Sequence, residues 1–534
     1  EGIPIYGAEA VLHLQNGKVK SLTGRTVPQP GISDLTTIVT EPEALEMVKT
    51  DLIGHTSVVR LEGQSLSLVG GSQHLTELVI YHKGRDILQE HLAWKIEFAP
   101  NIASRWLYFI DAQTGEILHK HNQICQLHPH DHLEELLPPD GPAVANATDL
   151  QGITRTINTY EKDGIFFMID ASRPMHNEFQ SDFPDDAVGV IWTIDAENTS
   201  PQNNNFSTIH ITSGNNVWNN PTAVSAHYNA GQAYEYFRST FNRNSINGQG
   251  GNIISLINVS DENNQDMDNA FWNGFAMFYG NGDQAFVSPL AKSLDVAAHE
   301  LSHGVIQNTA NLEYFGESGA LNESFADVFA VMVDRDDWQL GEDIVNTGIF
   351  STGALRDLAN PNNGGSSLNT PGWQPDHVNE QFQGSQDNGG VHINSGITNK
   401  AFFLFASQVG KNTAEQVYYE ALTNYLVRSS QFIDLRIAVL EVAATYNNSV
   451  VNAAASAFDQ VGITSGTPTD PEEEVGSNPG QEFILYTDGN FGSLNIVTPE
   501  GDEVANPLTN VGPLSKPSIT DDGSIIVYID QNKT

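Results

Sequence analysis

The residues best equipped for chemistry lie in one short run, AspValAlaAlaHisGluLeuSerHisGlyVal at 295–305. His299 and His303 are four apart, so on a helix both imidazoles leave the same face and can bind a single zinc ion. Glu300, about 100° around the helix from His299, can stand beside the metal and take a proton from its bound water. Catalytic zinc needs three protein ligands and an open fourth position. The segment GluSerGlyAlaLeuAsnGluSerPheAlaAspVal, 317–328, offers the third: Glu323 lies twenty residues beyond His303, with Asp327 one helical turn further on the same face. A second helix there would supply Glu323 as ligand and Asp327 as the acceptor that orients His299. A merely solvated helix face would instead set two acids at i,i+4, where they repel, and would leave the histidine pair without its partner.

Such a pair of helices must be held by a larger framework. At 534 residues the chain exceeds a single ordinary domain, and a prior of roughly 150 residues per domain gives three or four units. Residues 1–134 alternate like strands: Trp94, Ile96 and Phe98 share a face with Lys95 and Glu97 between them, and Asp111 to Gly115 supplies a hairpin turn. The stretch HPHDHLEELLPPDGP, 128–142, reads as an exposed linker. From 147 to 298 the sequence is strand-like and rich in Asn and Gly, interrupted by helical spacing from Ala223 to Phe241. From 299 to 463 it turns helical, as in AlaGluGlnValTyrTyrGluAlaLeu, 414–422. The run TSGTPTDPEEEVGSNPGQ, 464–481, reads as a linker, and 482–534 as a small β-rich module. The fold class expected is α+β, with a β-rich lobe followed by a helical one.

Acidic residues outnumber basic ones 66 to 24, for a net charge of −42. Such a surface repels phosphate backbones and anionic headgroups, which argues against nucleic acid as a partner. A single cysteine, Cys125, permits no internal disulfide. No apolar run approaches the ~20 residues of a membrane span. The chain opens on Glu1 without a start Met, and the expectation is that its N-terminus is processed.

HExxH followed by NExxxD at this spacing resembles the thermolysin family of zinc metalloproteases. The metzincin pattern needs a third His six residues after His303, where Thr309 stands. The resemblance covers residues from about 150 to 463 and implies a two-lobed catalytic unit with zinc between the lobes. AspAsnAlaPheTrpAsnGly, 268–274, matches the family's edge strand, implying that the Asn269 side chain and the Ala270 carbonyl hold the substrate backbone. AsnGlyGlyValHisIleAsnSerGly, 388–396, is similar to the second signature, implying that His392, oriented by Asp387, stabilises the tetrahedral intermediate. Tyr314 falls at the position of a second oxyanion donor, and Arg356 at that of a residue binding the carbonyl beyond the scissile bond. Glu300 is then the general base. Val296, Leu340, Ile344 and Leu355 match an apolar specificity pocket, implying cleavage on the amino side of Leu, Phe, Ile or Val.

The same resemblance implies at least one structural calcium, for which Asp295, Asp334, Asp337 and Glu342 stand at ligand positions. GIPIYGAEAVLHL, 2–14, and RWLYFIDAQTGEILHKHNQ, 105–123, resemble the later part of a pro-segment whose opening is missing. The implied protein is a secreted, extracellular zymogen, acting on proteins or peptides, inhibited and helped to fold by its own pro-segment, cut between about 124 and 147, and monomeric once mature. Cys125 sits near that cut and could cap the zinc before activation, although lone cysteines are mostly incidental. Two other readings stay open: a binding protein built on the same scaffold, and a zinc hydrolase of small peptides.

Overall fold

The computed structural model describes residues 3–7, 9–15, 18–24, 31–32, 35–53, 56–82, 90–123 and 141–464, together with five short strands between 484 and 527. Cys125 and nearly all of the 464–481 linker lie outside the described residues, as does 124–140, the greater part of the expected cleavage region.

In the N-terminal unit, four antiparallel strands, His74–His82, Glu90–Asn101, Ser104–Asp111 and Ile117–Asn122, pair in sequence order. The register sets Trp94 opposite Ile110, Ile96 opposite Tyr108 and Phe98 opposite Trp106, so the alternation read in the sequence becomes one apolar face. Against it lies the helix Glu41–Leu52, whose Ala44, Val48 and Leu52, four apart, are fully buried. The expected turn forms because Asp111 Oδ1 accepts from the backbone N–H groups of Gln113 at 2.9 Å and Thr114 at 2.7 Å.

The next unit opens on an antiparallel sheet of Gly141–Thr148, Thr154–Lys162, Ile165–Phe167 and Thr212–Ser213. Gly141 and Pro142 pair with Glu161 and Tyr160, so the strand begins inside the stretch that composition assigns to a linker. Proline is tolerated at such a strand's start because only one backbone donor is lost. A second, mixed sheet runs Ile169–Asp170, Ile191–Thr199, Ile253–Val259, Met277–Tyr279 and Ala270–Trp272. The helix Pro221–Phe241 packs between the sheets and the later helices, and Asn220 Oδ1 caps it by accepting from Ala223 N at 3.0 Å.

Among the described residues six α-helices follow, beginning with Leu294–Gln307 and Gly316–Val333 and continuing with Gln386–Val409, Lys411–Asn424, Phe432–Tyr446 and Asn448–Gln460. Every residue from Asp295 to Ile306 is buried, and so is every residue from Ser318 to Met332. Helices enclosed on all sides hold their side chains to fixed directions, which a metal site requires. Two glycines allow the approach. A Cβ on Gly319 would stand 2.3 Å from Val391 Cγ1, and one on Gly304 would stand 3.1 Å from the Trp272 ring. Among the described residues no helix is long and apolar enough to cross a membrane.

Candidate active site

The helix Leu294–Gln307 and the helix Gly316–Val333 lie side by side and bring His299, His303 and Glu323 together. One ligand atom from each falls within 4.8 Å of the others. The two Nε2 atoms are 3.0 Å apart, and Glu323 carboxylate oxygens stand 3.5 Å from each. Glu323 Oε2 is buried without a hydrogen-bond partner among the described residues. Two imidazole nitrogens and a carboxylate converging in a buried space suit a zinc ion.

Both histidines are fixed from behind. His303 Nδ1 lies 2.8 Å from Asn322 Oδ1, and Asn322 in turn donates to Leu312 O at 3.1 Å. His299 Nδ1 lies 2.9 Å from Asp327 Oδ1. Asp327 also accepts from Arg356 Nη2 at 2.7 Å and from Asn399 Nδ2 at 2.8 Å. These contacts turn both Nε2 atoms toward the shared centre, the arrangement that orients a metal ligand.

Burial and neighbouring charge act on these groups in opposite senses. Burial alone would lower the His299 pKa, but Asp327 and Glu323 outweigh it and raise it to about 10. Burial carries His303 down to about 4, against the pull of Glu323. Burial would raise Glu323, yet the surrounding histidines hold it well below the ordinary carboxylate range. Glu300 differs: it is wholly buried, neither carboxylate oxygen has a hydrogen-bond partner among the described residues, and burial pushes it up to about 8. A stranded carboxyl beside a metal site is unfavourable for folding and useful for proton transfer.

On the far side stand Tyr314 and His392. The Tyr314 hydroxyl hydrogen-bonds Glu323 Oε1 and lies 3.1 Å from His392 Nε2. His392 Nδ1 is 2.6 Å from Asp387 Oδ1, and its backbone N–H donates to Asp387 Oδ2 at 2.8 Å. Asp387, Asn388, Gly389 and Gly390 carry φ values of 54°, 48°, 85° and 83°, and this left-handed run folds Asp387 back under the imidazole. Burial would lower the His392 pKa, but Glu323 and Asp387 together raise it.

Two models, described as "Thermolysin metallopeptidase, catalytic domain" and "Thermolysin metallopeptidase, alpha-helical domain", match residues 145–307 and 310–463. Bacillolysin of Brevibacillus brevis is 34% identical over 482 residues, covering 86% of this chain and 80% of that protein. Neutral protease B of Bacillus subtilis (strain 168) is 34% identical over 487 residues, covering 87% and 80%. The chain belongs to the thermolysin metallopeptidases. Thermolysin of Bacillus caldolyticus is 32% identical over 494 residues, covering 86% of this chain and 82% of that protein. A solved structure, the precursor of protealysin from Serratia proteamaculans, is similar with a TM-score of 0.46 and 29% identity, covering 54% of this chain and 91% of that one.

As a member of the thermolysin family the chain is a zinc metalloendopeptidase with a β-rich lobe and a helical lobe. Its remaining candidate residues fall into three groups. Val296, Leu340 and Ile344 are fully buried in the main core, with Leu355 packed against it and donating its N–H to Leu340 O at 2.8 Å. Asn269 is buried ahead of the edge strand Ala270–Trp272, and Arg356 is committed to Asp327.

Asp334, Asp337 and Glu342 share a pocket with Asp336 and Asp343, two acids that carry no sequence motif. Asp295 does not line it; its carboxylate accepts from Ser293 and from the N–H groups of Val296 and Gly341. Burial and crowding by like charge raise Asp334 to about 6 and Glu342 to about 8. Gln374 and Asn399 also went unforeseen: Gln374 Nε2 donates to His392 O at 2.6 Å, and Asn399 holds Asp327. Neither stands in a local pattern that could have marked it, whereas Asn322 adjoins Glu323.

Proposed function

We propose that this zinc endopeptidase is secreted as a zymogen and cleaves internal peptide bonds on the amino side of bulky apolar residues. His299, His303 and Glu323 hold the zinc, which when bound polarises the scissile carbonyl and acidifies water. Glu300 accepts a proton from the attacking water and passes it to the leaving amine. The Tyr314 hydroxyl and His392 donate hydrogen bonds to the oxygen as negative charge develops on it, and Asp387 keeps the imidazole aimed and protonated. Asn269 and the Ala270 carbonyl pair with substrate backbone, Arg356 binds the carbonyl beyond the scissile bond, and Val296, Leu340, Ile344 and Leu355 surround the apolar side chain. Asp334, Asp337 and Glu342, with Asp295 behind them, would hold at least one calcium ion, whose charge would offset theirs.

The observation that carries the mechanism is the carboxyl of Glu300, buried without a hydrogen-bond partner among the described residues beside three converging ligand atoms. The zymogen reading rests on contacts across the N-terminal unit. Asn388 Nδ2 donates to Asn122 O at 3.0 Å, the Tyr6 hydroxyl donates to Glu313 Oε1 at 2.9 Å, and Gln123 lines one cavity with His303 and Tyr314. Tyr6, Asn122 and Gln123 thus stand at the cleft's edge beside the site, which supports a covering role for the unit that carries them.

Casein hydrolysis by the processed protein, before and after 1,10-phenanthroline, tests the reading. Activity should vanish with the chelator and return with zinc in the presence of calcium. An inert protein that is demonstrably processed and zinc-loaded would instead favour a binding scaffold.

A further inference from the structure

The face between the N-terminal unit and the helical lobe holds an unusual pair. His119 and His121 leave the last strand of the N-terminal sheet on the same side, as residues two apart must. His119 Nε2 lies 3.0 Å from His121 Nδ1. Both rings pack on Phe315, with centroids 5.1 Å and 5.7 Å away, and Phe315 directly follows Tyr314 of the site. His121 is 3% exposed, and its Nε2 has no hydrogen-bond partner among the described residues.

The rings and the charge that meet this pair most directly favour neutral imidazoles. From the pair's own sheet, Tyr81 and Phe109 present rings to His119. From the helical lobe come the Phe315 ring and the positive charge of Arg428, which acts on His121. One N–H can bridge two neutral rings; two imidazolium ions 3 Å apart would repel, out of water and near a guanidinium.

We propose that His119 and His121 form a pH-sensitive latch, docking the N-terminal unit over the cleft while neutral and releasing it when protonated. The inference rests on the zymogen reading above and adds what triggers the zymogen's opening. Burial lowers the pKa of both, and His121, with His119 and Arg428 adding to the effect, comes down to about 3. Released into water, an imidazole returns to about 6.5. The docked state therefore binds fewer protons than the released state, so docking is strongest above pH 6.5 and weakens as the pH falls. Glu313 works in the opposite sense, because burial raises its carboxyl in the docked state and acid favours that state. The histidines are two groups against its one.

Backbone hydrogen exchange in the full chain carrying Glu300→Gln, which cannot cut itself, reads the opening at residues 314–320 and 388–393. After correction for intrinsic rates, the opening constant should rise about thirtyfold between pH 8 and pH 5 from His121 alone. In Glu300→Gln/His121→Gln most of that rise should disappear. An equal rise in both proteins, or none in the first, overturns the latch. If the double variant does not fold, histidine C2 exchange followed by mass spectrometry on the unsubstituted full chain decides, and a His121 pKa at or above 6.5 sinks the proposal. The two readings fail differently. A full chain that is active at pH 8 before any cleavage refutes the zymogen reading, whereas a latent chain with a pH-independent opening refutes only the latch.

Discussion

Two clusters of acids meet the helix Leu294–Gln307, one at its first turn and one at its middle, and they settle their charge in opposite ways. At the middle, Glu323 and Asp327 are wholly buried yet lie among His299, His303, His392 and Arg356, and both carboxyls are held below their ordinary range against the effect of burial. At the first turn, Asp334 and Glu342 meet chiefly other acids and are pushed up. Depth of burial does not decide whether a carboxylate stays ionised; the sign of its neighbours does. The cluster at the middle is largely balanced within the protein, whereas the one at the first turn is a set of crowded carboxylate oxygens, the ligand type that hard cations prefer.

Glu300 is the exception inside the balanced cluster, and replacing it should have the largest effect. Glu300→Gln keeps the shape and removes the proposed base, so kcat should fall by about 10²–10⁴-fold, with zinc content measured by mass spectrometry unchanged. Activity within a factor of two of the parent would show that the buried carboxyl plays no part in proton transfer.

Asp327→Ala attacks the balance itself. It frees His299 to turn and strands the buried Arg356 guanidinium. Zinc affinity in competition with a chelator should drop about 10–100-fold, and unfolding in urea should show a loss of about 3–5 kcal/mol. Unaltered zinc affinity would mean that packing alone orients the histidine.

Glu342→Gln tests the second cluster and should act in the other direction. Removing one of several repelling acids should raise the Tm measured in EGTA by about 2–4 °C and shrink the gain that calcium confers. An undiminished calcium response would remove Glu342 from the site.

That His299, His303 and Glu323 meet, with Glu300 and Asp327 beside them, was legible in the sequence because each helix encodes its own face at i,i+4. The hairpin of 104–122 was legible for the same local reason, alternation broken by Asp111 to Gly115. What escaped was decided by tertiary contact. Gln374 and Asn399 touch the site only because distant segments fold onto it, and Asp336 and Asp343 look like ordinary surface acids until the loop after Val333 curls round them. The strand from Gly141 was hidden by composition, since Gly and Pro beside an acidic run resemble a linker until Glu161 and Tyr160 provide a pairing edge.

The N-terminal unit touches both lobes at once. On the β-rich side Asn273 Nδ2 donates to Leu68 O at 2.8 Å and to Ile102 O at 3.1 Å, and Gly70 lies so close to the Phe275 ring that a Cβ there would stand 2.1 Å from Cζ. On the helical side the unit holds Glu313, Phe315 and Asn388. It is therefore a splint as much as a cover, because one rigid sheet tied to both walls of the cleft resists any change in the angle between them.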